Sequence, residues 1–334
     1  MTRLAALALS LLWSCGAPPE EAARTERCAT CHRDQAKGWA SSRHGQSGTS
    51  PVFVALLPHV ERAWGPTARA RCVACHSPGF VDEPAIGCAS CHLAIGNRGE
   101  RDGALVVKPE VPIATRAVPA HAPHATEPRT FFLSASLCGT CHEVHGPGLL
   151  EEPTLSEYRA SPDAAADECV SCHFDGHRFT GLEPAWGASP EVAEASTRAS
   201  LALLQRALHL ELDGATITVR NVGAAHAVPT GMTAMRDVWV DVTVRDEAGV
   251  VTERRRVMEL GAQLEGAVLF TDATAVTSRS LPARAHRTWT APPGSVVLRA
   301  TLSARAYRDD ALEALGLAAL RGQVPHHVIA TLGP

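Results

Sequence analysis

Ten of the eleven cysteines fall into one repeated arrangement with a histidine: Cys28-Ala29-Thr30-Cys31-His32, Cys72-Val73-Ala74-Cys75-His76, Cys88-Ala89-Ser90-Cys91-His92, Cys138-Gly139-Thr140-Cys141-His142 and Cys169-Val170-Ser171-Cys172-His173. Two thiols one helical turn apart reach the two vinyl groups on one edge of a porphyrin. The next residue then lies under the iron and offers an imidazole. Zinc sites and redox disulfides also use C-x-x-C pairs, but neither requires the histidine. With 16 His among 334 residues, a histidine after all five pairs arises by chance on the order of once in a few million. The spacing predicts five covalent c-type haems with His32, His76, His92, His142 and His173 as proximal ligands.

Each iron also takes a ligand from its opposite face. His145 follows His142 by three residues and His177 follows His173 by four. So short a link cannot wrap around a porphyrin, so each would serve a neighbouring haem and draw the haems together. His44 ends Trp39-Ala40-Ser41-Ser42-Arg43-His44. His124, narrowly preferred to His121, sits in an extended proline-rich stretch with Pro109, Pro112, Pro119, Pro123 and Pro128. His226 lies in Asn221-Val222-Gly223-Ala224-Ala225-His226-Ala227-Val228-Pro229-Thr230-Gly231. The distal candidates are therefore His44, His124, His145, His177 and His226. His59, His209, His286, His326 and His327 read as non-ligands.

The elements that must position these groups follow from composition and pattern. Cys28 to His173 span only 146 residues, and aromatics are 4% of the chain. Such a segment has little room for a core of its own, so porphyrin faces take the place of Phe and Trp. Before it, residues 1–14 read as a secretory signal with one cation, Arg3, and an apolar core. Leu12-Trp13-Ser14-Cys15-Gly16 is similar to a lipobox, although Trp13 is large for that position, and makes Cys15 the expected lipidation site. Residues 15–27 form a tether. The haem domain is expected over 28–185.

A helix followed by a small antiparallel β-sandwich is expected over 186–334. Ser189-Pro190-Glu191 starts the helix, and Leu201, Leu204 and Leu208 share one face. Val238, Val240, Val242 and Val244 alternate with Trp239, Asp241 and Thr243. Asp246-Glu247-Ala248-Gly249 is a turn. After Pro292-Pro293-Gly294, Val296, Leu298, Ala300, Leu302 and Ala304 alternate with polar residues. A last helix is expected from Asp310 to Leu320. Arg254-Arg255-Arg256 reads as a solvated strand face.

The run Cys28-x-x-Cys31-His32-x₆-Trp39-x-x-Ser42-x-His44, the segment Gly87-Cys88-Ala89-Ser90-Cys91-His92, and Glu157-Tyr158-Arg159-Ala160-Ser161-Pro162 before Cys169 carry a resemblance. The chain resembles exported multihaem cytochromes c, the group of the tetrahaem electron acceptor of hydroxylamine oxidoreductase and of pentahaem nitrite reductase. His177-Arg178-Phe179-x-Gly181 and His226-x-x-Pro229-Thr230-Gly231 are also similar to exported multihaem proteins. The resemblance implies a mostly helical and looped fold around stacked, low-potential, largely bis-His haems. It departs from the nitrogen enzymes in two ways. No C-x-x-C-K occurs, and neither Tyr158 nor Tyr307 has the context of a porphyrin-bonded tyrosine.

The expected class is a multihaem cytochrome c followed by a β-sandwich, α+β overall. The expected function is extracytoplasmic electron transfer between other redox proteins, from a lipid-anchored position on the periplasmic side of a bacterial membrane, the outer membrane and cell surface included. The alternative is an oxidoreductase acting on a small nitrogen or sulfur compound at one five-coordinate haem. A haem filament is a third reading. A net charge of −4 gives no basic field for nucleic acid. No nucleophile triad or phosphate loop appears, so no catalytic residue is expected.

Overall fold

The computed structural model describes residues 24–78, 84–99, 104–117, 119, 121–164 and 169–333. The signal segment and Cys15 lie outside the described residues, as does the tether up to Ala23. No described helix is long and apolar enough to cross a membrane.

Every C-x-x-C-H sits on or beside a short helix, which sets its two sulfurs one turn apart. α1 (Thr25–Cys31) ends on the first motif, with His32 as its C-cap, and α2 (Arg33–Ala40) continues from it. α3 (Pro51–Trp64) and α4 (Pro66–His76) both begin on proline, whose fixed φ suits a first helical turn. α4 ends on the second motif. α5 (Cys88–His92) carries the third and α6 (Ala135–Gly139) opens the fourth. α7 (Thr154–Ala160) precedes α8 (Cys169–His173), the fifth. Short ribbons pin the loops between them: β1 (Ala94–Asn97) on β2 (Leu105–Val107), β3 (Ile113–Thr115) on β4 (Thr126–Pro128), and β5 (Val144–His145) on β6 (Glu151–Glu152).

α9 (Pro190–Ala207) starts as its sequence requires, with the Ser189 hydroxyl accepting from the Val192 amide at 3.5 Å. Two antiparallel sheets follow, with a separate ribbon of β11 (Ala262–Glu265) on β12 (Ala275–Ser278). The first has the order β13 (His286–Thr290), β8 (Thr216–Asn221), β7 (Leu208–Asp213). The second has the order β10 (Val251–Leu260), β9 (Asp237–Arg245), β14 (Val296–Arg305), β15 (His327–Leu332). Their inner faces meet in one apolar cluster. Ile217 and Val219 come from the first sheet, and Val238, Val240, Val242, Val244 and Leu302 from the second. Burying each such side chain stabilises the fold by roughly 1.5–3 kcal/mol.

Four local expectations are corrected. Leu208 is the first residue of β7, not part of the helix, because it turns extended to pair with Asn221; it is buried all the same. In β14 a bulge between Val297 and Arg299 shifts the register against β9, so Val297 enters the core while Val296 is exposed. The helix expected from Asp310 to Leu320 is broken. A helix covers Asp309–Ala314, Gly316 takes φ +72°, and a 3₁₀ turn covers Ala318–Gln323. Of the arginine triple, Arg254 and Arg255 are solvated. Arg256 instead grips both Asp237 oxygens, at 2.6 and 2.8 Å, and lies over the Trp239 ring.

The two parts of the chain share a core. Val52, Leu56 and Val60 of α3 pack with Met235, Phe270, Tyr307 and Leu312. Polar ties add to it: Arg284 holds both oxygens of Asp163 at 2.7 Å, and the Gln46 amide donates to the Trp186 carbonyl at 2.9 Å.

Candidate functional site

Four of the five motif histidines face a second imidazole. Ring centres are 6.1 Å apart for His32 and His124, 6.5 Å for His142 and His44, 6.2 Å for His92 and His177, and 6.0 Å for His173 and His226. One metal ion held between two imidazoles through bonds of ~2 Å separates their ring centres by roughly 6.3 Å. The residues present therefore fit an iron between each pair. Among the described residues no three His, Cys, Asp or Glu side chains converge as a zinc site needs, and none of the ten cysteines forms a disulfide.

The hydrogen bonds say which nitrogen is offered. With Nδ1 protonated, His92 donates to the Ala114 carbonyl at 2.8 Å, His173 to Thr180 at 2.8 Å, and His76 to Ser47 at 3.0 Å. His226 donates likewise to Ala227 at 2.8 Å. His142 differs, since its Nδ1 meets the Glu152 carboxylate at 3.0 Å. In each case Nε2 is left for a metal, the usual arrangement for a ligating histidine. Burial pushes the pKa of His142 down, but the Glu152 carboxylate more than offsets this and the net direction is up. Burial drives His44 down to about 3, helped by His142, His76 and His173, so its ring is neutral and able to ligate.

Hydrogen bonds and electrostatics also give the spatial order of the motifs. The Cys88 amide donates to the Thr25 hydroxyl at 3.1 Å, which sets the first and third motifs side by side. The Cys138 thiol is pushed well up by the adjacent Cys169 thiol, with burial next, and the Cys141 thiol by Cys75 in the same way. Cys91 acts on both Cys138 and Cys141. The fourth motif is thus the hub, beside the second and fifth and near the third, and the first attaches through the third.

His226 is held by its loop. Asn221, almost fully buried, donates to the His226 carbonyl at 2.9 Å and to Leu281 at 3.1 Å. Across the boundary, the Glu157 carboxylate accepts from the Ala227 amide at 3.2 Å and the Thr230 hydroxyl at 2.6 Å. The Glu157 and Pro229-Thr230-Gly231 segments, noted separately in the sequence, are two halves of one joint.

One distal candidate is corrected. His145 faces no motif histidine. Its two ring nitrogens lie 2.7 Å from the Glu143 and Glu151 carboxylates, which leaves no lone pair for iron. The charge environment of β5 and β6 holds it as a surface ion-pair partner. His121 has no imidazole opposite it, whereas His124 has His32. Sequence reading missed the groups that orient the proximal ligands. Three are backbone carbonyls (Ser47, Ala114, Thr180) and carry no sequence signal. The fourth, Glu152, sits ten residues after His142, with nothing local to mark it.

No family model matches the chain, and no curated protein matches it. Among solved structures it is similar to a penta-haem cytochrome c552 from Thermochromatium tepidum, at 17% identity and a TM-score of 0.67, over 94% of this chain and 99% of that one. The fold, helices and small sheets together, is similar to that of this cytochrome.

Proposed function

We propose that the chain is an extracytoplasmic pentahaem c-type cytochrome that passes single electrons between redox proteins. The carrying observation is the set of four opposed imidazole pairs spaced for iron beside four C-x-x-C motifs. The pentahaem name of the structural neighbour, a protein of nearly the same extent, supports the reading. When bound, haem supplies one-electron redox chemistry, and a bis-His iron offers no open position to a substrate. The chain's own residues set the rest. His124, His44, His177 and His226 close the second face, and the carbonyl and carboxylate acceptors fix each imidazole plane. Glu152 raises the basicity of His142, which favours the ferric state at the hub.

The C-terminal part reads as a small β-sandwich whose loop ligates the fifth-motif haem through His226. The apolar segment 1–14, read as an export signal, and Cys15 support a lipid-anchored position on the periplasmic side of a bacterial membrane. Its partners are redox proteins docking through small interfaces. The narrower kinship, with the tetrahaem acceptor of hydroxylamine oxidoreductase and with pentahaem nitrite reductase, rests on the motif resemblance. Pyridine haemochrome analysis with a potentiometric titration tests the function. Five haems per chain that all reduce and reoxidise with a small redox protein are expected. Fewer haems, or irons that do not exchange electrons, overturn it.

A second reading has one observation in its favour. His76 is the one motif histidine with no imidazole opposite it; its ring partner is Phe53, stacked on its face at 3.9 Å. An open iron there would suit an oxidoreductase for a small nitrogen or sulfur compound.

A further inference from the structure

All sixteen histidines lie among the described residues, and none is spare for the second-motif site. Eight form the four pairs. His145 is held between carboxylates, His59 lies against Arg62, and His326 is stacked on Trp239. His121, His209 and His286 are exposed, and His327 belongs to β15. Yet His76 is built like the other proximal ligands, with Nδ1 fixed on Ser47 and Nε2 left over.

The methionines supply what the histidines do not. Met235 and Met258 are buried in apolar clusters. Met232 is only half-buried and packs against the same cluster as Cys72, the first thiol of the His76 motif. It stands on the loop that has already delivered His226 to His173. Gly231, its neighbour, packs against Glu152, the carboxylate that holds His142. That loop therefore leads from the fifth-motif site past the fourth to the apolar cluster on which Cys72 also packs. A thioether is a soft, neutral ligand for haem iron and raises its potential relative to bis-His.

We infer that Met232 is the sixth ligand of the His76 iron, so that the second haem is His/Met and closed. This inference rests on the pentahaem reading. The test uses the full-length holoprotein and reads spin state, not turnover. Ferric wild type should show the far-red thioether-to-iron charge-transfer band and no high-spin signal. Met232→Leu should lose the band and convert one iron in five to a high-spin form that takes up cyanide. Met232→His should lose the band and stay low-spin. A high-spin wild type, or a band retained in Met232→Leu, overturns the assignment and moves the weight to the oxidoreductase reading. Haemochrome counting on the same samples keeps the two claims apart. Fewer than five haems breaks the cytochrome reading, whereas five haems with the wrong spin state breaks only the Met232 ligand.

Discussion

The chain up to residue 185 and the chain beyond it are stabilised by different means. Among the described residues, ten apolar side chains are buried in the first part and thirty in the second. The second part carries a continuous core between two sheets, from Ile217 and Val219 to Leu302 and Ala304. In the first part, the cluster around Ala89 and Leu93 has only those two buried members. The α3 cluster that adds Val52, Leu56 and Val60 is completed by residues from the far side of the boundary. One part is held by its own apolar contacts. The other carries the five C-x-x-C-H motifs and leans on its neighbour.

The largest test of this contrast is to withhold haem attachment. Chain made without cytochrome c maturation should lose ordered structure over 28–185, as small metal-dependent domains do. Its sheets should keep amide protection in hydrogen exchange; equal loss in both parts would erase the distinction. Next in size, Leu302→Ala should cost about 2–5 kcal/mol of stability in denaturant titration, because Leu302 is fully buried between the sheets. The haem spectrum in native buffer should not move.

His226→Ala should change one iron in five from low to high spin, with the other four untouched, since among the described residues of the sheet domain only His226 pairs with a motif histidine. An unchanged spectrum would remove the bond between the two parts. Glu152→Gln should raise the midpoint potential of the hub haem alone, because the amide no longer loads His142 with carboxylate charge. A potential that stays put would assign Glu152 to packing.

The smallest effect concerns Asp163, whose pKa the Arg284 guanidinium lowers. A folded pKa below the unfolded one stabilises the fold above the ordinary carboxylate range. That contribution fades as pH falls through the depressed value. Asp163→Asn should therefore slightly flatten the acid limb of the stability curve, and added salt should mask the difference.

What was readable in the sequence was what local spacing controls. The C-x-x-C-H motifs, the Ser189 cap, the Asp246-to-Gly249 turn and the alternation of β9 each depend on neighbours a few residues away. The bulge in β14 and the break at Gly316 escaped because they answer to partners across a sheet and to a turn, not to period. Among the distal candidates, His44, His124, His177 and His226 face motif histidines 53 to 98 residues away in the chain, whereas His145, only three residues from His142, faces two carboxylates.

The sequence by itself determined the chemistry: which atoms can form thioethers, which imidazole follows each pair, and how many sites there are. Only the tertiary structure decided who faces whom. A covalent tether is set by bond lengths along the chain, whereas an axial pair is set by where two distant segments pack, and one ring turned toward a carboxylate is lost to the iron.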